Sequence, residues 1–281
     1  MNVIETFKYE WKVQFRNLAA LSIFLIFLGL LFYGGLAGSA ERDARISVIE
    51  THDSNVIEAM DAWLSDLRRL EEGIDTENLP PTTGSAMDVV FASSLPQEPL
   101  SDFAVGQSDL LPFVGEISLW DPDIRLFSKY EFADPVGLAL GSFDISKAVV
   151  LFLPLLLIVF CFDVVSADRD SNRLSLTILQ VTNLRRLFWQ RFVFRASVVL
   201  VFTLTSAFII LAINSGYTAF GDRLPIFGVW ALSVLFYGIF WCMLIALTAS
   251  FNNSGEFNVL SLLGLWVGLT LIIPAAGSSV A

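Results

Sequence analysis

Four stretches of this chain, 17–40, 196–221, 224–249 and 257–281, carry no charged side chain over 24 or more residues. An α-helix of about 20 residues crosses a hydrocarbon core about 30 Å thick. In lipid, every backbone N–H and C=O must find a partner within the protein, which leaves helices as the form for such runs. The composition agrees, with 55% hydrophobic and only 16% charged residues where soluble domains carry about a quarter. A fifth run, 148–162, is shorter and holds Pro154. It reaches span length if Lys147 snorkels outward and residues 163–167 form its other end. The expected fold is therefore an all-α polytopic membrane protein with five spans, at 17–40, 147–167, 192–221, 224–249 and 257–281. The first run ends in Gly38, Ser39 and Ala40, as a cleaved signal peptide does, but its apolar part exceeds the about 7–15 residues of a signal core, so a retained span is expected.

Charge sets the orientation. Residues 41–146 hold 21 acidic and 6 basic residues, a net of −15, so the rest of the chain is +4 against a total of −11. Lys8, Lys12 and Arg16 precede the first span, and the positive-inside rule puts them in the cytoplasm and segment 41–146 outside. Phe7, Trp11 and Phe15 recur every four residues over 1–16, the pattern of an amphipathic elbow helix on the inner membrane surface, with Trp11, Lys12 and Arg16 at the interface. In the acidic segment, Val56, Ile57, Met60, Trp63, Leu64, Leu67 and Leu70 share one helix face. Asp53 or Ser54 is the expected N-cap, and Pro80–Pro81 the expected stop. From Leu95 to Pro135 the chain is rich in Pro, Gly and aromatics, and loops with short strands are expected to pack on that helix, making an extracytoplasmic α+β insert. The surplus negative charge there attracts cations at long range, though a solvated acidic surface is the plainer reading.

Several chemistries are excluded. The four lysines are Lys8, Lys12, Lys129 and Lys147, and none closes a phosphate-binding loop. His52 is the single histidine, and Cys161 and Cys242 both lie in apolar runs. A His-dependent protease, a Ser-His triad and a His/Cys zinc site are all ruled out. No catalytic, metal-binding or cofactor-binding residue is expected, and no nucleic-acid partner.

The remaining feature is the polar stretch 163–195, with six arginines and three aspartates. Asp168, Arg169, Asp170, Ser171 and Asn172 form a helix-initiating cluster. Leu174, Leu176, Ile178, Leu179 and Val181 supply a short apolar face, and Arg185, Arg186, Arg191 and Arg195 lead into the next span. A short helix docked on a partner fits this pattern; a solvated loop with basic flanks is the alternative. Asp163, at a span end, is expected to pair with Arg191 or Arg195, or else to sit as a solvated interfacial acid.

The stretch resembles the first cytoplasmic loop of ABC type-2 transporter permeases, where an E-R-E-S-G-T-L pattern leads to a basic pair and a lysine at the next span. Asp168-Arg169-Asp170-Ser171 align with E-R-E-S, Leu174 with the leucine, Arg185 with the basic segment and Arg191 with the lysine. Asp replaces both Glu, Asn172 replaces Gly, Arg173 replaces Thr, and Val181 stands where Gly or Pro is usual. Leu95-Pro96-Gln97-Glu98-Pro99-Leu100, Ala104 to Leu110 with Pro112, Pro135, Gly141-Ser142-Phe143-Asp144, Pro154-Leu155-Leu156 and Phe162-Asp163 resemble a branch of these permeases. That branch is known mainly as a domain of unknown function, with a large insert between its first two spans. Tyr9-Glu10-Trp11-Lys12 is similar to its elbow helix.

The resemblance implies a permease subunit of an exporter in a bacterial plasma (inner) membrane, set in membrane lipid and paired with a second permease subunit, the same or homologous. A separate cytosolic ATP-binding subunit would use the ATP and dock on the loop 168–191, with Asp168, Arg169, Asp170, Ser171, Leu174 and Ile178 as coupling contacts. It also implies a sixth span, which this sequence does not reach; the five-span chain is expected to be a fragment or an incomplete permease. The other readings are a non-transporting scaffold or sensor, and a force-transmitting ABC module acting through its outer domain.

Overall fold

The computed structural model describes the backbone of residues 3–14, 16–73, 90–95, 97–105, 114–118, 142–162, 164, 184–251 and 254–278. Helix α1 is Val3–Gln14 and α2 is Leu18–Glu72. Strands β1, Val90–Ser94, and β2, Val114–Ser118, follow. Then come α3, Ile145–Cys161, and α4, Leu184–Ser250. The last elements are α5, Gly255–Val267, a π-helical turn over Gly268–Ile272, and α6, Ile273–Ser278. The chain divides into two compact units, residues 1–36 with 144–281, and residues 37–143.

Among the described residues, four helical segments are long and apolar enough to cross a membrane: Leu18–Glu72, Arg185–Ser215, Phe220–Ser250 and Gly255–Ala276. This is the architecture of a multi-pass helical membrane protein. The fifth expected span is α3, whose 17 residues extend about 26 Å, a little short of the core. Asp144 caps it by accepting a hydrogen bond from the Lys147 N–H at 2.7 Å, so the helix begins at Ile145.

Helix α4 is not one straight rod. Leu200 meets Gly238, and the Phe208 ring lies 5.8 Å from both Phe220 and Phe227. A straight helix would hold Leu200 and Gly238 about 57 Å apart. The chain therefore folds back on itself between Leu200 and Gly238, and its two span candidates, Arg185–Ser215 and Phe220–Ser250, form two arms. Sequence reading puts this turn at Gly221, Asp222 and Arg223, but all three lie inside the second arm. Arg223 is buried there and donates from NH1 to Ser215 Oγ at 2.7 Å. Bonding to the end of the first arm gives that charge a place within the hairpin rather than at its tip.

A proline accounts for one of the polar bonds across these helices. Pro154 has no N–H, so the Val150 carbonyl loses its helical donor, and the ring crowds the preceding turn. Tyr237 Oη donates to that carbonyl at 2.8 Å, and Trp266 Nε1 donates to the adjacent Leu151 carbonyl at 3.0 Å. Trp230 Nε1 donates to Ser146 Oγ at 3.0 Å, in the first turn of α3. In an apolar medium these groups have no water to turn to, and the Tyr237 hydroxyl takes the place of the missing N–H.

In the unit 37–143, α2 does not restart at Asp53 or Ser54. The expected N-cap is replaced by continuous helix because the hydroxyls bond backward along it. Thr51 Oγ1 donates to the Ser47 carbonyl at 2.7 Å and Ser54 Oγ to the Thr51 carbonyl at 2.9 Å, while Arg45 pairs with Glu41 at 3.4 Å. Such back-bonding keeps Ser and Thr inside a helix instead of at its cap. The helix stops at Gly73, whose φ of 68° is the left-handed geometry of a helix C-terminus. Pro80 and Pro81 lie outside the described residues. The two strands pair antiparallel, with Val90 opposite Ser118 and Ser94 opposite Val114. The ring of His52 hydrogen-bonds the β2 carbonyl of Gly115 through Nε2 at 3.2 Å. Successive turns over 98–103 bury Asp102 and Phe103, and Arg42 NH1 lies 3.9 Å from the Asp102 carboxylate. Gly38 makes this fit possible, because a Cβ there would stand 1.9 Å from the Asp102 carbonyl oxygen.

Two expectations follow. Gly38→Ala should lower the apparent Tm of the detergent-solubilised chain, costing about 2 kcal/mol, while Gly29→Ala, whose Cβ would meet nothing within 4 Å, should leave it unchanged or slightly raised. Tyr237→Phe should cost about 1 kcal/mol. The same change in a Pro154→Ala background should cost clearly less, since an N–H at 154 again reaches the Val150 carbonyl; equal losses in both backgrounds would disprove the bracing role.

Candidate functional site

The site grows from the inner face of α1. Thr6, Glu10 and Gln14 are four residues apart, so they share one helical stripe. Thr6 is wholly buried and Glu10 is 1% exposed, whereas Phe7 is 36% and Trp11 46% exposed. Sequence periodicity singles out the Phe7–Trp11–Phe15 face. The structure turns the polar stripe to the protein and leaves much of the aromatic face open, with Phe7 stacked on Phe194 at 4.8 Å and Trp11 edge-on to the same ring at 6.5 Å.

Arg195, in the first arm of α4, meets that stripe. Its Nε donates to Glu10 Oε2 at 2.8 Å and its NH1 to the Phe160 carbonyl at 3.1 Å. Phe160 lies in the last turn of α3, where helix carbonyls lack intrahelical donors. The Gln14 amide, oriented with its oxygen toward the guanidinium, accepts from Nε at 2.9 Å and from NH1 at 3.3 Å. Arg191, one helical turn earlier, holds Nε 3.2 Å from Glu10 Oε1. That atom lies at ion-pair distance but is not aligned for a hydrogen bond, so this contact is chiefly charge attraction. One carboxylate thus answers two guanidiniums, and one guanidinium joins three helices. A cavity of about 20 Å³ beside them, between Trp11, Phe24, Phe160 and Arg195, has room for about one water molecule.

Among the expected site residues, Trp11, Lys12, Arg16 and Arg195 are described. Lys12 and Arg16 are exposed on or just beyond α1. Asp163, Asp168, Arg169, Asp170, Ser171, Leu174 and Ile178 lie outside the described residues. The described carboxylate at both Arg191 and Arg195 is Glu10, which the sequence reading did not single out. The signal was present in the polar spacing Thr6, Glu10, Gln14, but it is overshadowed by the stronger aromatic spacing beside it. The arrangement holds α1, α3 and α4 together.

No family model matches this chain, and neither a curated protein nor a solved structure was found to be similar to it.

Removing one member of a buried ion pair leaves the other charged and unanswered, at a cost of about 3–5 kcal/mol. Glu10→Gln should therefore lower the apparent Tm strongly, and Arg195→Gln should add much less in the Glu10→Gln background than alone. Additive losses in a double-mutant cycle would show that the two side chains do not act together.

Proposed function

We propose that this chain is a permease subunit of an ABC-type exporter in a bacterial plasma membrane, driven by a separate ATP-binding subunit that docks on the loop 168–191. In this reading five helices span the bilayer, the N-terminus is cytoplasmic, and 41–146 form the extracytoplasmic domain. A second permease subunit completes the pathway. The resemblance of Asp168-Arg169-Asp170-Ser171 and Leu174 to the coupling loop of such permeases is one support.

The observation that carries the reading is the Arg195 contact at the base of that loop. The loop leaves the chain just after α3 and re-enters at α4, and Arg195 ties the last turn of α3 to α4 through the Phe160 carbonyl. The same guanidinium ties α1 through Glu10. Work delivered to the loop would reach a joined set of three helices rather than a single loose end. Rigid helices joined at one end can rock together, which is how access alternates between the two sides of a membrane. Asp168, Arg169, Asp170, Ser171, Leu174 and Ile178 would make the contact with the ATPase, and ATP would be bound and hydrolysed entirely by that partner.

Purification of the chain with its bound partners should bring down a protein with a phosphate-binding loop. In the reconstituted complex, replacing Arg169 and Asp170 together should abolish stimulation of the ATPase by the permease while leaving the chain folded. Unchanged ATPase activity in that variant would refute the coupling assignment. Recovery of outer-surface proteins without any ATPase would favour the scaffold reading instead.

A further inference from the structure

Beside the Glu10 clamp, α1 and the first arm of α4 leave an open groove of about 520 Å³ lined by Phe7, Arg185, Arg186, Trp189, Gln190 and Val193. We propose that this groove binds the phosphodiester headgroup of an anionic membrane lipid, with Arg185 and Arg186 on the phosphate and Phe7, Trp189 and Val193 under the glycerol and upper acyl chain.

Charge is the first argument. Among the described residues that line it, two side chains are guanidiniums and none is a carboxylate. Glu10 on α1 is 1% exposed and held by Arg191 and Arg195, outside the residues that line the groove. Guanidinium is the side-chain group best matched to phosphate oxygens, because its planar N–H donors can engage two of them at once.

The floor of the groove decides between lipid and soluble phosphate. Phe7, Trp189 and Val193 are 36%, 43% and 54% exposed, and an inorganic phosphate would leave all three wet. A glycerophospholipid covers them with the part of the molecule that is itself apolar.

The level of the groove is the third argument. The span candidate Arg185–Ser215 has 31 residues, about 46 Å of helix against a core of about 30 Å. Its first turns can therefore stand at headgroup level. Exposed Tyr9, Trp11 and Trp189 gather there with exposed Lys8, Lys12, Arg185 and Arg186, the mixture that marks a membrane–water interface. Basic pockets at this level favour anionic headgroups. The inference needs the membrane setting of the four apolar helices and not the ATPase reading.

The test uses the full chain, purified in detergent without any partner. Retained lipid is counted by native mass spectrometry after exposure to phosphatidylglycerol or to phosphatidylcholine. Phosphatidylglycerol should be retained preferentially. Arg185→Gln with Arg186→Gln should weaken that retention about tenfold, and Trp189→Ala should weaken it less. Lys8→Gln with Lys12→Gln removes the same charge from the exposed side of α1 and should change retention little. An equal loss in the lysine variant would overturn the proposal in favour of diffuse surface charge. Equal retention of the two lipids, or undiminished retention in the arginine variant, would also overturn it. So would displacement of the lipid by inorganic phosphate as readily as by free phosphatidylglycerol, which would mark a soluble-phosphate site. A monodisperse elution profile shared by all variants separates lost binding from lost folding.

Discussion

A guanidinium buried among apolar helices has to be answered by the protein, and Arg195 is answered three ways. Its contacts to Glu10, Gln14 and the Phe160 carbonyl fix where α1 lies and how α3 ends against α4. Burying an ion pair gains little over packed hydrocarbon, because desolvation offsets the attraction. Its effect here is geometric. Once Glu10 and Arg195 are out of water, any arrangement that separates them strands a charge, so the three helices share one register. Arg191 adds a second positive charge to the same carboxylate, and the aromatic contacts of Phe7 and Trp11 with Phe194 hold the neighbouring face of the same two helices.

The same constraint operates without charge at Pro154. A proline in an apolar helix leaves one carbonyl without its helical donor, and the carbonyl next to it is also met from a neighbouring helix. Tyr237 and Trp266, from the second arm of α4 and from α5, supply the donors. Arg223 and Ser215 do this at the hairpin turn of α4, and Asn214 Nδ2 does so with the Gly35 carbonyl at 3.2 Å. The helices of this unit are thus joined by a small number of polar bonds set in large apolar surfaces. Since lipid offers no hydrophobic drive between helices, polar bonds and close approach carry much of the specificity of packing.

Much of the fold is legible in the sequence because the requirement is so plain. Runs without charge over more than 20 residues are helices, and the apolar character of those runs is plain in the sequence. The positions of turns and caps are less legible. Asp53 and Ser54 look like a helix start, yet Ser54 bonds back to Thr51 and the helix continues. Gly221-Asp222-Arg223 looks like a loop, yet these residues are helical and Arg223 is buried. In both cases a polar side chain found a backbone or side-chain partner that sequence alone does not display.

The candidate site divides in the same way. The polar stretch that follows α3 and its basic entry to α4 stand out as sequence, as does the amphipathic character of α1. Which face of α1 is buried does not. Periodicity picks out Phe7 and Trp11 as the face laid on the membrane surface, because it counts apolar residues, and it does not mark the polar stripe beside them as enclosed. In a membrane the aromatic face can look outward, and the stripe that must be enclosed is the one with Thr6, Glu10 and Gln14. The sequence by itself determined that this chain is a set of apolar helices with one acidic insert. Only the tertiary structure decided that Glu10 lies between Arg191 and Arg195, because a buried carboxylate is tolerable only where cations from distant positions are brought to meet it.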